Sequence, residues 1–478
     1  MKYLILLLSI LLITSANAQQ VTWSSEVTVA LSMDGNLHPR IVTDASGDPM
    51  IIWGKGSSNE CKFSKWNGTM FTSPVTINTP SIPVFTASWA GPDIASRGDT
   101  VYIVIKETPE DVNPIYIVSS FDGGQTFSSP VQVDFVSPDL SRFPTVTIDD
   151  SGNPIVGFMK LDANFSNARW VVTRSSDYGN TFTTDVLASG WSGGVVCDCC
   201  PSSIVSEGNT VAMLYRDNLN NIRDSWTSIS MDNGISFTNG WNVDLNNWMI
   251  MACPSTGPDG VIINDSLYSV FMNAATGSPK VYFSSSSITN MQPTFVQQLS
   301  GNTDQNYPRI SKYDSALGVV WKETVSGENK ALFRFSTNIN SGLSLVFDTI
   351  ANSGVANVDI AISNGMVYVV WQDDFSGTVK FKSGRYTSTT NIKNVNDSQS
   401  IQLYPNPVNT NEFQVLLNNL PDGYYNYTIE NVIGQSTGSH TCQLINGQTK
   451  IKTSLMQGIY VLKMSTDKGG LTIKFIKE

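Results

Sequence analysis

Histidine and basic residues are scarce in this sequence. The chain of 478 residues has only two His, His38 and His440, and they lie far apart. This scarcity argues against a His-rich metal site and against a Ser-His-Asp triad. The sequence has 29 Lys and Arg and 40 Asp and Glu, which gives a formal charge of −11. Because phosphate binding needs a basic face, this balance disfavours nucleic acid as a partner.

Long hydrophobic runs are absent beyond the N-terminus. A spanning helix needs about 20 apolar residues, and no stretch after residue 18 approaches that length, so we predict no transmembrane segment. Residues 1–18 combine Lys2, an apolar run over 3–14 and a small-x-small site at 16–18. This pattern predicts a secretory signal peptide and a mature chain that begins near Gln19.

Cysteine is sparse and unevenly placed. Of six Cys, Cys61 and Cys442 stand alone, and the remaining four fall in one region, at Cys197, Cys199, Cys200 and Cys253. In an exported protein these four predict disulfides, first between Cys253 and one of the other three, with a second bridge between the remaining pair. A four-thiolate metal site is the alternative, but its spacing and compartment disfavour it, and we predict no metal ion there.

An X-Pro dipeptide that opens a strand-like run recurs along the chain at intervals of 52 to 57 residues, at Pro39, Pro92, Pro144, Pro201, Pro254 and Pro308. Each is followed by two short apolar runs separated by a polar turn, as in 38–55, 143–160 and 307–323. This period-two alternation predicts antiparallel strands. A seventh copy, without the Pro, begins about fifty residues after Pro308, so we count seven repeats.

The second half of several repeats carries the pattern Ser-x-Asp-x-Gly-x-(Thr/Ser)-Phe, at 120–127, 175–182 and 230–237. The Asp carboxylate can accept backbone N–H bonds across a hairpin, the Gly can adopt positive φ, and the Phe can pack under the turn. Residues 64–71 read as a decayed copy that has lost the Asp.

These motifs resemble the Asp-box, or bacterial neuraminidase repeat, of the sialidase superfamily. The resemblance implies an all-β fold, a β-propeller over residues 19–386. The seven repeats predict seven blades, with six as the alternative, the number in the known catalytic sialidases. The N-terminal stretch 22–29 is similar to 126–133, the strand that follows the first Asp-box. We therefore predict that an N-terminal strand completes the last blade and closes the ring.

A polar linker is predicted at 387–400, followed by a β-rich module at 401–478. Its segments at 403–408, 425–435 and 455–464 resemble the C-terminal sorting domain of the type IX secretion system of Bacteroidetes. The resemblance implies a small β-sandwich, the secretion machinery as a partner, and a protein secreted or attached at the outer-membrane surface. An ordinary carbohydrate-binding or fibronectin-like sandwich is the alternative.

In a propeller, the starts of the first strands and the ends of the second strands share one face. The sialidase resemblance implies that three Arg there hold a sugar carboxylate, with a Tyr nucleophile, a Glu that activates it and an Asp acid/base. The candidates are Arg40, Arg216 and Arg309, with Arg223 and Arg142 in reserve, Tyr307 as nucleophile, Glu323 as base, Asp93 as acid/base and Trp226 for stacking on a sugar. The family's Arg-Ile-Pro motif is absent, because Pro39 precedes Arg40.

We therefore predict a secreted, monomeric, sialidase-like propeller that engages glycans or glycoconjugates, a glycoside hydrolase of the exo-α-sialidase type if it is an enzyme. A non-catalytic glycan-binding propeller and a protein-interaction propeller are the alternatives. No cofactor is expected. A structural Ca²⁺ in an Asp-rich channel is compatible with the sequence.

Overall fold

The computed structural model describes residues 21–30, 35–301, 303–386, 400–418, 420–431, 435–466 and 469–478. The predicted signal peptide, 1–18, and all of the predicted linker except residue 400 lie outside these ranges. The chain divides into two compact units, Met1–Ser388 and Thr389–Glu478, and each is described by itself. The prediction of an all-β protein is confirmed, since only a 3₁₀ turn at Ile339–Ser341 interrupts the strands of the described residues.

The first unit begins with two short strands, β1 (Val21–Trp23) and β2 (Val27–Ala30). Seven small antiparallel sheets follow, which we number in chain order. Sheets 1 to 3 comprise β3 (Asn36–Thr43), β4 (Pro49–Lys55), β5 (Glu60–Lys65) and β6 (Val75–Thr76); β7 (Asp93–Arg97), β8 (Thr100–Lys106), β9 (Ile115–Ser120) and β10 (Val131–Gln132); and β11 (Leu140–Ile148), β12 (Pro154–Leu161), β13 (Arg169–Arg174) and β14 (Val186–Leu187).

The other four sheets repeat this arrangement. Sheets 4 and 5 comprise β15 (Val195–Val196), β16 (Ser203–Glu207), β17 (Thr210–Asn218), β18 (Ser225–Ser230) and β19 (Asn239–Asn242); and β20 (Asp259–Ile263), β21 (Ser266–Asn273), β22 (Lys280–Ser287) and β23 (Gln292–Gln298). Sheets 6 and 7 comprise β24 (Gln305–Tyr313), β25 (Ala316–Val325), β26 (Glu328–Ser336) and β27 (Asp348–Ala351); and β28 (Val355–Ser363), β29 (Met366–Asp373) and β30 (Thr378–Tyr386).

The N-terminal strands pair with the last strand of sheet 7. Val21 lies opposite Tyr386 and Val27 lies opposite Phe381, both in antiparallel register with β30. Sheet 7 therefore takes its outer strands from the beginning of the described chain.

Carboxylates link the first strand of one sheet to the first strand of the next. Asp93 of sheet 2 accepts the backbone N–H of Val146 in sheet 3 at 3.2 Å. In the same way Asp259 accepts from Ile310 at 3.0 Å, which joins sheets 5 and 6. Asp359 of sheet 7 accepts from Ile41 of sheet 1 at 2.9 Å, so the last sheet bonds directly to the first.

The hairpins after β9, β13 and β18 contain the three Ser-x-Asp-x-Gly motifs. In the first, Asp122 Oδ1 accepts the backbone N–H groups of Gln125 and Thr126, each at 2.9 Å. Ser120 Oγ accepts from the N–H of Gly124, whose φ is 80°. The predicted roles of the Asp and the Gly within the turn are therefore confirmed. The decayed copy keeps the bonding, because Asn67 Oδ1 accepts from the N–H groups of Thr69 and Met70.

The second unit has a three-stranded and a four-stranded antiparallel sheet around its own apolar core. The strands are β31 (Ser400–Tyr404), β32 (Glu412–Asn418), β33 (Gly423–Asn431), β34 (Ser436–Leu444), β35 (Gln448–Lys452), β36 (Gly458–Thr466) and β37 (Gly469–Lys477). The core includes Phe413 and Phe475, whose ring centroids lie 5.0 Å apart.

Candidate functional site

A pocket lies where the first strands of the seven sheets begin. Every sheet contributes to it, either from its first strand or from the segment that leads into that strand. The lining residues are His38, Arg40, Trp89, Ala90, Gly91, Asp93, Phe143, Pro144, Pro201, Ser202, Thr256, Gly257, Pro258, Tyr307, Pro308, Arg309 and Asn357. Because successive strands are antiparallel, the Asp-motif hairpins, which follow β9, β13 and β18, lie at the ends of their sheets opposite the pocket.

Three residues of the pocket come from β-bulges that the X-Pro dipeptides mark. The residue before each Pro has positive φ, 54° at His38, 51° at Phe143 and 50° at Tyr307. The pairing register shifts at the same places in β3, β11 and β24. Left-handed backbone is unfavourable for such large residues and is typical of places where a fold aims a side chain at a functional site.

Arg40 is a buried cation with neutral hydrogen-bond partners. Its Nη1 donates to the Pro39 carbonyl at 2.8 Å and to Asn357 Oδ1 at 3.0 Å. No carboxylate of the described residues lies within 4.0 Å of its guanidinium. Burial and then the positive charge of Arg309 lower the pKa of Arg40 to about 10.

Arg309 has carboxylate partners instead. Its Nε donates to Asp359 Oδ1 at 2.8 Å and lies 3.4 Å from Asp259 Oδ2. Burial lowers the pKa of Arg309, but the carboxylates of Asp259, Asp359 and Asp93 together raise it by more than burial lowers it. The net shift of the pKa is therefore upward. Arg309 is thus both a lining residue of the pocket and a link between three sheets.

The other titratable residues of the pocket are Asp93, His38 and Tyr307. Asp93 Oδ2 accepts from Thr145 Oγ1 at 2.7 Å in addition to the Val146 N–H. Burial, then the charge of Arg40, holds the pKa of His38 well below its ordinary value, so the ring is neutral near pH 7. Burial also raises the pKa of Tyr307.

Glu323, the predicted activator of Tyr307, does not reach it. The carboxylate of Glu323 is buried and accepts from Trp321 Nε1 at 2.8 Å and from Ser300 Oγ at 2.5 Å. The charged neighbour of the Tyr307 ring is Lys322, whose Nζ lies 5.3 Å from its centroid. The predicted Tyr-Glu pair is therefore absent from this pocket.

Arg216, Arg223 and Trp226 also lie outside the pocket lining. Arg216 is fully buried and donates to three backbone carbonyls, those of Thr256, Arg223 and Met272. Arg223 Nη1 lies 3.1 Å from Cys197 Sγ. Trp226, a residue of β18, packs against the core between sheets 3 and 4. The reserve Arg142 forms an ion pair with Glu110.

The predicted staple between the two Cys-containing loops is present. Cys199 and Cys253 form a disulfide. The predicted second bridge is wrong, because Cys197 and Cys200 are free thiols. One part of the repeat assignment needs correction, because the first strand of sheet 5 begins at Asp259, after Pro258 rather than Pro254. Cys253 therefore lies in the loop before that strand. Cys197, Cys199 and Cys200 offer sulfur atoms within 4.8 Å of one another, the geometry of a soft-metal site if Cys199 were reduced.

The structure brings four predicted residues together, Arg40, Asp93, Tyr307 and Arg309, and adds four that sequence reasoning missed: His38, Trp89, Phe143 and Asn357. His38 and Phe143 occupy the position before a repeated Pro, which is also that of Tyr307. This shared position is the signal that could have identified them.

Comparison with known proteins gives a family for the second unit. Residues 402–478 match the family described as the Secretion system C-terminal sorting domain. The predicted sorting module is confirmed, and the protein is secreted or attached to the cell surface. The described residues include no helix of the length and apolarity needed to cross a membrane.

Among curated proteins, no sequence matches the chain. Solved structures that match include the Hadza microbial sialidase Hz136, at 11% identity over 75% of this chain and 68% of that one, with a TM-score of 0.43. A Trypanosoma rangeli sialidase matches at 10% identity over 92% and 84% of the two chains, with a TM-score of 0.41. A polysaccharide lyase of family PL25, an ulvan lyase, matches at 10% identity over 76% and 96%, with a TM-score of 0.49. At these low identities and TM-scores, the matches assign no role to any residue of this chain.

Proposed function

We propose that the seven sheets are the blades of a β-propeller and that the pocket at its centre binds a sugar bearing a carboxylate. The Asp-mediated links between first strands and the pairing of β1 and β2 with β30 support a closed ring. Closure of this kind removes exposed sheet edges. The Ser-x-Asp-x-Gly hairpins are then Asp-boxes at the face away from the pocket.

Arg40 is the observation that carries the binding proposal. Arg40 is buried without a direct ion-pair partner, since the carboxylates of Asp359, Asp93 and Asp259 act on it only from beyond 4.0 Å. An anionic ligand in contact with its guanidinium would offset the cost of burying this charge. A sugar carboxylate fits the planar guanidinium, which offers paired donors. Arg309 adds a second positive charge beside it, already neutralised on its Nε side by Asp359.

The apolar part of the lining favours a sugar over a simple anion. Trp89, Phe143 and Tyr307 present aromatic surface in the same pocket as the two guanidinium groups. Trp89 packs edge-on against Phe143 with centroids 5.3 Å apart, which holds both rings in place. Aromatic faces stack on sugar rings, and a few polar groups fix their orientation. Export places such a site where extracellular glycans occur.

Hydrolysis of the bound sugar is a second candidate function. It is favoured by Tyr307 and Asp93, a nucleophile and an acid of the expected types, in the pocket that holds Arg40 and Arg309. Two facts weigh against it: Glu323 is bonded elsewhere, and burial raises the pKa of Tyr307, which disfavours the phenolate. Binding without turnover is therefore our first proposal.

Calorimetric titration of the mature full chain with sialyl and uronate oligosaccharides, and with their methyl esters, tests the binding proposal. We expect the acids to bind and the esters to bind at least about tenfold more weakly, because a charge-assisted hydrogen bond is worth about 1.5–3 kcal/mol. Arg40→Gln should cause a similar loss. Arg97→Gln, which changes a half-exposed Arg paired with Asp150, is the matched control and should bind as wild type does. Equal affinity for acids and esters would refute carboxylate recognition.

Release of a fluorogenic aglycone from sialosides tests the second candidate. Turnover that is lost in Tyr307→Phe, which keeps the ring and removes only the hydroxyl, would establish hydrolysis in this pocket. No turnover by a wild-type chain that binds the acids would remove hydrolysis and leave binding in place.

A further inference from the structure

The four clustered cysteines occupy two loops that form one wall of the pocket. Cys197 follows β15, and Cys199 and Cys200 lead directly into Pro201 and Ser202, which line the pocket. Cys253 lies in the loop that continues to Thr256 and Gly257, which also line it. The disulfide between Cys199 and Cys253 thus ties together two neighbouring parts of that wall.

The cluster has an outer and an inner pair of sulfur atoms. Cys253 is exposed and Cys199 is half-buried, so the disulfide is accessible from solvent. Cys197 and Cys200 are both fully buried, and their Sγ atoms lie 2.9 Å apart. Cys197 Sγ is also 3.6 Å from Cys199 Sγ, so one buried sulfur atom contacts both the other thiol and the disulfide.

Cys197 has the surroundings of a thiolate. Arg223 Nη1 donates to its Sγ at 3.1 Å. The hydrogen bond from the Cys200 thiol lowers the pKa of Cys197, burial opposes this, and the charges of Arg216 and Arg223 lower the pKa further. Burial instead raises the pKa of Cys200, and it also raises the pKa values of Cys61 and Cys442, the two thiols outside the cluster. Since the thiolate is the nucleophile in disulfide exchange, Cys197 is the reactive sulfur of the set.

We propose that these four cysteines form an intramolecular disulfide relay, in which the accessible Cys199–Cys253 bond is passed inward to Cys197 and Cys200. The Cys197 thiolate attacks Cys199 Sγ, a Cys197–Cys199 bond forms, and Cys253 leaves as a thiolate that takes a proton from water. Cys200 then gives its proton to water and attacks Cys197 Sγ, the Cys197–Cys199 bond breaks, and Cys199 leaves as a thiolate. One disulfide and two thiols are present before and after, so the exchange needs no external oxidant or reductant.

The relay changes whether a covalent bond cross-links the two loops that form the pocket wall. With the Cys199–Cys253 bond, the two loops are joined covalently; with a Cys197–Cys200 bond, the cross-link lies within one loop. The loops pack closely, since a Cβ added at Gly257 would lie 1.8 Å from the Pro201 carbonyl oxygen. A loss of the joining bond therefore alters the segments that carry Ser202 and Thr256 into the pocket. This inference does not depend on which ligand the pocket binds.

Disulfide mapping on the mature full chain tests the relay. The chain is reduced under nitrogen, its fold is checked by near-ultraviolet circular dichroism, and one equivalent of a small disulfide oxidant is added. Samples are quenched with acid at intervals, alkylated and mapped by mass spectrometry. We expect the Cys199–Cys253 bond to appear first and the Cys197–Cys200 bond to replace it, with the total constant at one disulfide per chain.

Variants separate the two steps. Cys197→Ser should leave the bond at Cys199–Cys253, and Cys200→Ser should let it advance no further than Cys197–Cys199. Arg223→Gln should slow the migration about tenfold at pH 5, below the Cys197 pKa of about 6, because a rise of about one unit in that pKa lowers the thiolate fraction tenfold there; the slowing at neutral pH should be smaller. Cys61→Ser, a buried thiol outside the cluster, is the control and should behave as wild type does.

Three results would overturn the relay. In the first, the Cys197–Cys200 bond never appears. In the second, it appears equally fast in Cys199→Ser, which would mean direct oxidation of the buried pair. In the third, the isolated chain carries one zinc or copper ion that protects all four thiols from alkylation, which would make the cluster a metal site. A reduced chain that loses its fold does not end the test, because the oxidised Cys200→Ser chain can be mapped without any reduction. It should carry the Cys197–Cys199 bond beside the Cys199–Cys253 bond, and the Cys199–Cys253 bond alone would contradict the relay.

Discussion

The two arginines of the pocket differ in their partners, and the partners decide what each contributes. Arg309 neutralises buried carboxylates of two neighbouring sheets, Asp259 and Asp359. Arg40 bonds only to a backbone carbonyl and to an amide oxygen. We therefore assign Arg309 chiefly to the stability of the fold, which leaves Arg40 as the guanidinium that we propose for ligand binding.

Arg309→Gln should lower the free energy of unfolding by about 3 kcal/mol, because it leaves buried carboxylates without a cation. Arg40→Gln should cost less than about 1 kcal/mol, since it removes only hydrogen bonds to neutral groups. Urea denaturation of both variants measures the difference. Equal losses would contradict the separation of roles.

The loss in free energy of unfolding caused by Arg309→Gln should depend on pH, and the direction of this dependence can be predicted. Burial raises the pKa of Asp259, and Arg309 opposes the rise, so the pKa of this carboxyl should climb further in the variant. A carboxyl with a raised folded-state pKa loses stability as the pH rises through that pKa. The deficit should therefore be larger at pH 8 than at pH 5, measured by urea denaturation at both. A deficit that grows on acidification would contradict this assignment.

Sequence position predicted which residues lie at the pocket end of a sheet but not which way they face. Lys322 and Glu323 are adjacent in β25, and only Lys322 approaches Tyr307. Successive side chains of a strand point to opposite faces, so a displacement of one residue decides the outcome. The surroundings of Arg216 were not predictable for another reason, since its acceptors include the carbonyls of Thr256 and Met272, which lie 40 and 56 positions away.

At the scale of elements, the Asp-motif hairpins were predictable because their hydrogen bonds are local. Asp122 accepts from residues three and four positions later, and Ser120 from one four positions later. The start of sheet 5 was not predictable, because the sequences that follow Pro254 and Pro258 both resemble the start of a repeat. The disulfide from Cys253 to Cys199, 54 residues away, holds Pro254 in a loop.

Asp122→Ala should lower the free energy of unfolding by about 1 kcal/mol at pH 7, a modest figure because the group is partly exposed. The hydrogen bond from the Thr126 hydroxyl, followed by that from its N–H, lowers the pKa of Asp122 to about 2. A carboxyl with a lowered pKa contributes stability above its unfolded pKa, near 3.9, and loses it as the pH falls towards the folded value. The difference from wild type in thermal unfolding should therefore vanish near pH 2. Asp150→Ala, another partly exposed Asp, should change little at either pH.

Gly124→Ala tests how the first of these hairpins packs on its neighbour. A Cβ at Gly124, whose φ is 80°, would lie 2.4 Å from the Phe63 ring of sheet 1. Gly98 has a φ of 60° and open space around it, so Gly98→Ala isolates the backbone cost. We expect about 1 kcal/mol for Gly98→Ala and about 2–4 kcal/mol for Gly124→Ala by urea denaturation, because overpacking adds to strain. Similar losses would mean that Phe63 moves aside freely.

At the scale of the molecule, the likeness between 22–29 and 126–133 correctly indicated a strand partner. Val27 and Thr28 pair with β30 as Val131 and Gln132 pair with β9. The N-terminal segment also reaches sheet 6, because Trp23 Nε1 donates to Asp348 Oδ2 at 2.8 Å. These contacts join residues more than 300 positions apart. Repetition within the sequence made the strand pairing predictable, whereas the Trp23–Asp348 bond was not predicted.

Deletion of residues before 35 should therefore destabilise the first unit, whereas deletion of 389–478 should not. The first deletion exposes the edge of β30 and removes the buried Val21 and Val29, each worth about 1.5–3 kcal/mol of burial. An exposed edge also invites pairing with other chains, so aggregation on heating should increase. We expect the midpoint of thermal unfolding to fall by roughly 5 °C or more, on the usual scale of a few degrees per kcal/mol. The second deletion removes a unit with its own core. If the N-terminal deletion leaves the midpoint unchanged, the seven sheets hold together without the strands that complete the last one.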